Sequence, residues 1–202
     1  TAVEATKKGA YNFLQKPLPD LPELKLTIKN AIRYKKSRDE LRRVKNEFAE
    51  SNKIIGSSEK LKNALDLVTK FSKLHSNVLI TGESGTGKEL IARQIHFESE
   101  RADKPFIEIN SANLLEENID KELFGVAEDD HFIHGKFEQA DGGTIFLDEV
   151  SNLSNEVQSK LLNVIETNKI ARVGSNIDIH LDLRFIFATN KDLLEEVGLK
   201  NF

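Results

Sequence analysis

The sequence predicts an α/β fold, a parallel sheet covered by helices on both faces. Two observations carry that expectation. From residue 77 onward, short apolar runs alternate with stretches whose apolar residues recur every three or four positions, the succession that crossover helices between parallel strands require. The first of those runs leads directly into "GESGTGKE" (82–89), a glycine-rich turn of the form G-x-x-x-x-G-K that opens a helix. The composition, 39% hydrophobic and 31% charged over 202 residues, is that of a globular protein with room for one full domain and a piece of another.

The elements follow in order. "TAVEATKKGAYNFLQKPLPD" (1–20) reads as a helix end closed by Gly9, a short strand at 11–15 and a proline-punctuated loop. From Pro22 to about Phe48 one long helix is predicted, with Leu24, Ile28, Ile32, Leu41, Val44 and Phe48 on a helical spacing. Within it "RYKKSRDE" is almost wholly charged, which favours a solvated linker over a nucleic-acid contact. Ser51–Gly56 breaks the pattern. "SSEKLKNALDLVTKF" then predicts an amphipathic helix on Leu61, Leu65, Val68 and Phe71. "NVLIT" (77–81) is a buried strand, and a helix follows over Glu89–Glu98. "PFIEIN" (105–110) and "TIFLDE" (144–149) are strands. "EVQSKLLNVIE" is a helix with Val157, Leu161, Val164 and Ile165 on one side. "LDLRFIFATN" (181–190) is a further strand, and "KDLLEEV" opens a helix.

Several functions are disfavoured at once. A net charge of −4 and a pI near 5.8 argue against gripping nucleic acid with the whole surface. There is no cysteine, so no disulfide, thiolate metal site or cysteine nucleophile. No apolar run approaches the length of a membrane span. Of five histidines only His131 and His134 are close, which suits polar surface better than a metal centre. The absence of Met, even at position 1, suggests that the chain begins within a longer protein.

The chemistry lies in three places. Gly82 follows a strand and the next helix starts near Gly87, so backbone N–H groups and the helix N-terminus converge on a phosphate. Lys88 then reaches the β and γ oxygens of a nucleotide, and Gly82, Glu83, Ser84, Gly85, Thr86, Gly87, Lys88, Glu89 and Leu90 are its candidate contacts, with ATP as ligand. Glu89 occupies the place where the general pattern has a Mg²⁺-binding Ser or Thr. In "TIFLDEV", Asp148 is the candidate Mg²⁺ ligand, and Glu149 the residue that polarises a water. In "FIFATN", Thr189 and Asn190 end a strand where an amide can sense a γ-phosphate.

"VLITGESGTGKELIA", "GKFEQADGGTIFLDEV" and "RFIFATNKDL" resemble the central ATPase domain of bacterial enhancer-binding proteins, the NtrC-type AAA+ activators of σ54 RNA polymerase. The resemblance runs from about Ile54 to Phe202. It implies an AAA+ P-loop domain, a three-layer αβα fold, over 53–202. Glutamate is usual at the end of the loop there, so Glu89 follows a variant plan. It further implies that Asn110 pairs with the catalytic acid, that adenine packs on Ile54, Ile55 and Gly56, and that Arg172 with "VGS" leads to a second surface loop. "GAYNFLQKP" resembles the last strand of a receiver domain, with Lys16 as its phosphate-sensing lysine and Phe13 as its switch aromatic. That gives a receiver end at 1–33 and a helical linker at 34–52.

The resemblance implies a cytoplasmic two-component response regulator with a sensor kinase, self-association of its ATPase domains, RNA polymerase as partner, no membrane, and promoter DNA bound by a helix-turn-helix beyond residue 202. Two departures qualify it. The chain stops at "GLKNF", before the segment that carries the family's arginine fingers and lid. Between "ELFG" and "GKFEQADGG" stand only the nine residues "VAEDDHFIH", where typical members carry Gly-Ala-Phe-Thr-Gly-Ala, the part that touches σ54. This gap resembles the NtrX branch. The expectation is a regulator that binds and hydrolyses ATP without remodelling σ54, its three acids forming a solvated turn while Phe132 and Ile133 tuck onto the domain. An ordinary σ54 activator and a nucleotide switch without hydrolysis stay open as alternatives; intact Asp148, Glu149 and Asn110 favour hydrolysis.

Overall fold

The computed structural model describes residues 20–51, 54–113, 118–128 and 131–202, with side chains at 20–36, 54–112, 118–128 and 132–202. Phe13, Lys16 and the strand expected at 11–15 lie outside the described residues. So do Asp129, Asp130 and the side chains of Leu41, Val44 and Phe48.

The chain divides into two units, Thr1–Ile54 and Ile55–Phe202. The first contributes one helix, α1 (Leu21–Ser51). Asp20 starts it, its carboxylate accepting from Glu23 N at 3.1 Å, and Pro22 sits in the first turn, where no amide hydrogen is needed. Leu21, Ile28 and Ile32 are each at least half exposed, in keeping with a stripe too thin to form a core.

In the second unit α2 (Glu59–Ser72) begins at Ser58, whose hydroxyl accepts from Leu61 N at 3.2 Å. Strand β1 (Val78–Thr81) leads through the glycine turn into α3 (Lys88–Phe97). Then come β2 (Phe106–Asn110), α4 (Ile119–Phe124), β3 (Gly125–Glu128), β4 (His131–His134), α5 (Lys136–Gln139) and β5 (Thr144–Asp148). The chain continues with α6 (Asn155–Thr167), β6 (Lys169–Ile170), β7 (Ile179–His180), β8 (Arg184–Thr189) and α7 (Leu193–Gly198).

Four strands form the main sheet in the order β1-β8-β5-β2, all parallel. Strands buried on both faces must be apolar throughout, and Thr144–Leu147 are completely buried. Alternation divides them between two cores. Ile145, Leu147 and Phe185 face Phe137, Val157, Leu161 and Val164 of α5 and α6. Phe146, Ile186 and Ala188 face Val68, Ala92 and Ile95 of α2 and α3. Arg184, buried at the start of β8, donates to Phe71 O at 2.6 Å and so holds the C-terminal carbonyls of α2. Burial, and then the neighbouring Arg101, lower its pKa from the ordinary arginine value.

One segment departs from expectation. "VAEDDHFIH" supplies most of an antiparallel hairpin: Gly125–Glu128 pair with His131–His134, so only 129–130 remain between the strands. The second surface segment holds its base. Val126 forms a parallel bridge with Val173, Ala127 N donates to Val173 O at 2.9 Å, and Val173 N donates to Gly125 O at 3.0 Å. Phe132 and Ile133 do not tuck in; they are 60% and 64% exposed, and Val126 is the buried residue of the pair.

Candidate functional site

Because all four strands are parallel, their C-terminal ends fall at one edge of the sheet, where open α/β sheets bind ligands. The register makes the convergence specific. Thr81 stands beside Thr189, and Asn110 beside Asp148. Gly82 N donates to Thr189 O at 3.2 Å, so the loop starts on the strand that ends in Asn190. Gly82–Gly87, Asn110, Asp148, Glu149 and Asn190 are thereby brought to one edge.

The loop has the backbone that its glycines predict. Gly85 and Gly87 adopt φ of 77° and 87°, a left-handed conformation that side chains disfavour, and Gly87 is the N-cap of α3. Glu83, Ser84 and Thr86 are exposed, and Leu90 is half-buried. Thr86 Oγ1 donates to Glu83 O at 2.8 Å. Lys88 is buried, with Nζ donating to Gly82 O at 3.0 Å and Glu83 O at 3.1 Å, so the ammonium lies along the loop. The loop borders a cleft of about 600 Å³ walled by Leu67, Val68, Ile80 and Ile91. A larger cleft of about 680 Å³, lined by Leu161, Phe187 and Val197, holds none of these loop residues. Chemistry assigns the site to the smaller one, because it alone adjoins Lys88. Gly56 packs so closely on Leu61 that an added Cβ would stand 2.4 Å from Leu61 Cδ2, while Ile55 is 90% exposed.

At the strand ends, Asp148 Oδ1 accepts from Glu149 N at 3.0 Å, and Ser111 Oγ donates to Asp148 O at 2.9 Å. Glu149 has φ 54°, and its Oε2 is buried without a hydrogen-bond partner. Asn110 is half-buried, and its Oδ1 accepts from Ala112 N at 2.9 Å, a local turn. Thr189 is buried with its hydroxyl 3.0 Å from Ser151 Oγ, whereas Asn190 is exposed.

Glu89 pairs along its own helix. Arg93 Nε donates to Glu89 Oε1 at 2.7 Å, Arg93 Nη2 bonds Glu108 on β2, and the guanidinium lies 5.1 Å from the Phe106 ring centroid. Burial raises the Glu108 pKa; Arg93 opposes this, while Glu89 and Asp148 add to it. Arg93 and Glu108 were absent from the sequence-based site. The four-residue spacing of Glu89 and Arg93 is a readable helical ion pair, but nothing in sequence marks Glu108 as its third member.

A second ionic cluster sits under the hairpin. Arg172 Nε and Nη2 donate to the two carboxylate oxygens of Glu138 at 2.9 and 2.5 Å, and His134 Nδ1 lies 2.8 Å from Glu138 Oε2. The same guanidinium lies 4.9 Å from the centroid of Phe132. Among the described residues no group of three or more His, Cys, Asp or Glu is arranged to hold a metal, and no helix is long and apolar enough to cross a membrane.

The family described as the Sigma-54 interaction domain matches residues 54–202. The transcriptional regulatory protein ZraR of Salmonella typhimurium is 40% identical over the whole chain, which covers 46% of that protein. The nitrogen assimilation regulatory protein NtrX of Azorhizobium caulinodans is 36% identical over the whole chain and 44% of its own length. The chain thus spans a little under half the length of these relatives. The solved structures of NtrX from Brucella abortus in complex with ADP and with ATP each match with a TM-score of 0.82, at 33% and 32% identity, over the whole chain and 43% of that protein. The P-loop NTPase domain of a sigma-54 transport activator from E. coli is similar in fold, with a TM-score of 0.50 and 22% identity over 73% of this chain and 85% of that one.

Proposed function

The chain belongs to the family of sigma-54 interaction domains, its fold is that of AAA+ P-loop domains, and from that premise we propose that it is the nucleotide-driven part of a two-component response regulator of transcription. The observation that carries this reading is the convergence of Gly82–Lys88, Asn110, Asp148, Glu149 and Asn190 at one edge of a parallel sheet. The ligand is ATP, a reading supported by the nucleotides named in the NtrX structures. The backbone of residues 82–90 meets its phosphates, the Lys88 side chain reaches the β and γ groups, and adenine packs against Ile55 and Gly56.

Asp148 would hold Mg²⁺, since it stands only partly buried at the C-terminal end of β5 and that ion needs few protein carboxylates. When bound, the ion neutralises phosphate charge. Glu149 orients and deprotonates the attacking water, Asn110 pairs with that acid and switches it with nucleotide state, and Asn190 senses the γ-phosphate. Residues 1–33 are the end of a receiver domain switched through Lys16 and Phe13, 34–52 a linker, and 53–202 the ATPase. A sensor kinase, further copies of the chain, promoter DNA bound elsewhere in the protein and RNA polymerase are its partners in the cytoplasm. The short hairpin at 125–134 supports a further reading, that σ54 itself is not remodelled.

The test is calorimetric titration of ATP into Lys88→Ala. Removing the only loop cation should weaken binding at least tenfold, the scale of one charge-assisted contact. Unchanged affinity would remove the loop from the site.

A further inference from the structure

Glu89 is the second residue of α3, the helix whose N-terminus carries the phosphate loop. A free carboxylate there competes with phosphate for the same backbone N–H groups and the same positive end of the helix. Three features remove that competition. Glu89 is drawn along the helix, away from its N-terminus, by Arg93 Nε at 2.7 Å. The guanidinium is held in place from a second element, through Nη2 to Glu108 of β2. Its carbon lies over the ring of Phe106, also of β2, 5.1 Å from the centroid. Glu108 lies two residues before Asn110, so the same cation ties the phosphate-loop helix to the strand that ends in Asn110.

We propose that Arg93 is a positioning residue for nucleotide binding: it neutralises Glu89 and holds that carboxylate off the phosphate loop, which lets a glutamate stand where other phosphate loops require a hydroxyl. This rests on the nucleotide reading of residues 82–90. The alternative is that Arg93 only joins α3 to β2. The two differ in what happens when Glu89 is neutralised by mutation. If Arg93 acts through Glu89, its removal exposes a negative charge beside the triphosphate, and Glu89→Gln cancels the defect. If Arg93 is only a bolt, Glu89→Gln removes a further contact and cancels nothing.

The experiment is calorimetric titration of Mg·ATP into the parent, Arg93→Ala, Glu89→Gln and the Arg93→Ala/Glu89→Gln pair. Arg93→Ala should weaken binding by about tenfold, the effect of one unscreened charge at the distance of a neighbouring residue. Glu89→Gln, which keeps the backbone N–H at this position and alters only the side chain, should bind at least as tightly as the parent, and the pair should return to within about threefold of it, the non-additivity that residues in contact show. If Arg93→Ala fails to fold, Arg93→Gln takes its place with the same expected result. A single mutant as tight as the parent, or a pair as weak as the single mutant, overturns the proposal. A parent that binds no ATP overturns the nucleotide reading, and this one with it.

Discussion

Glu149 is the residue with the least structural reason to be where it is. It follows a strand buried on both faces, adopts φ 54°, and leaves Oε2 buried without a partner. A left-handed backbone on a non-glycine residue costs about 1–3 kcal/mol, and an unsatisfied buried carboxylate oxygen adds to that. Such costs persist where chemistry uses them. Glu149→Gln should therefore lower ATP turnover by about 10²–10⁴-fold, the contribution of a general base. ATP affinity should stay within about threefold of the parent, because binding energy comes from the loop rather than from this side chain. Phosphate-release kinetics beside calorimetry measure both, and undiminished turnover would move the base elsewhere. At this scale the sequence was legible where a motif specifies residue types in order, as for Gly82, Lys88, Asp148 and Glu149. It was not legible for Arg93 with Glu108, fifteen residues apart, because their contact depends on how α3 lies over β2.

Among the elements, the sheet strands were readable for a physical reason. A strand buried on both faces needs an unbroken apolar run, and "TIFL" and "FIFA" are such runs. The hairpin at 125–134 was not, since three acids interrupt its alternation and its base bonds to Val173, far along the chain. Beside Val173, Arg172 bonds Glu138, 34 residues before it. Burial raises the Glu138 pKa, but hydrogen bonds from Arg172 and His134 and the charge of Arg172 outweigh it, leaving the carboxyl below its ordinary value of 4.5. A depressed folded pKa means the stabilisation is complete above the unfolded value and is lost as pH falls through the folded one. The bonds between Ala127 and Val173 should accordingly hold from neutral pH down to about 4.5 and loosen below it. Amide hydrogen exchange at Ala127 and Val173, corrected for intrinsic rates, follows this directly. Glu138→Gln should show weak protection throughout. Equal protection in parent and variant across that range would mean that the ion pair does not hold the hairpin.

At the scale of the whole molecule, the proposed nucleotide-driven function turns on what the domain could move. Remodelling a polymerase-bound σ factor needs a projection that is long, pliant and free to swing with nucleotide state. Here each hairpin arm has four residues, so its reach is about 13 Å from base to tip. The base is fastened on two sides, by the Val126–Val173 bridge and by Glu138 with Arg172. The exposed aromatic of the hairpin, Phe132, has the Arg172 guanidinium over its ring. The Gly-Ala-Phe-Thr-Gly-Ala segment, whose small residues let a tip bend, is absent from the sequence. A projection this short and this well fastened suits a domain whose nucleotide state is read by neighbouring copies rather than by σ54. The intact protein, purified and locked with ADP–aluminium fluoride to mimic the hydrolysis transition state, should therefore fail to retain purified σ54 in a pull-down, while Mg·ATP still binds. Lengthening the hairpin with the six-residue motif of typical members should not restore capture either, because the clamp at its base remains. Stable, stoichiometric capture by the unaltered protein would overturn this reading and make it an ordinary σ54 activator that works through a shorter loop.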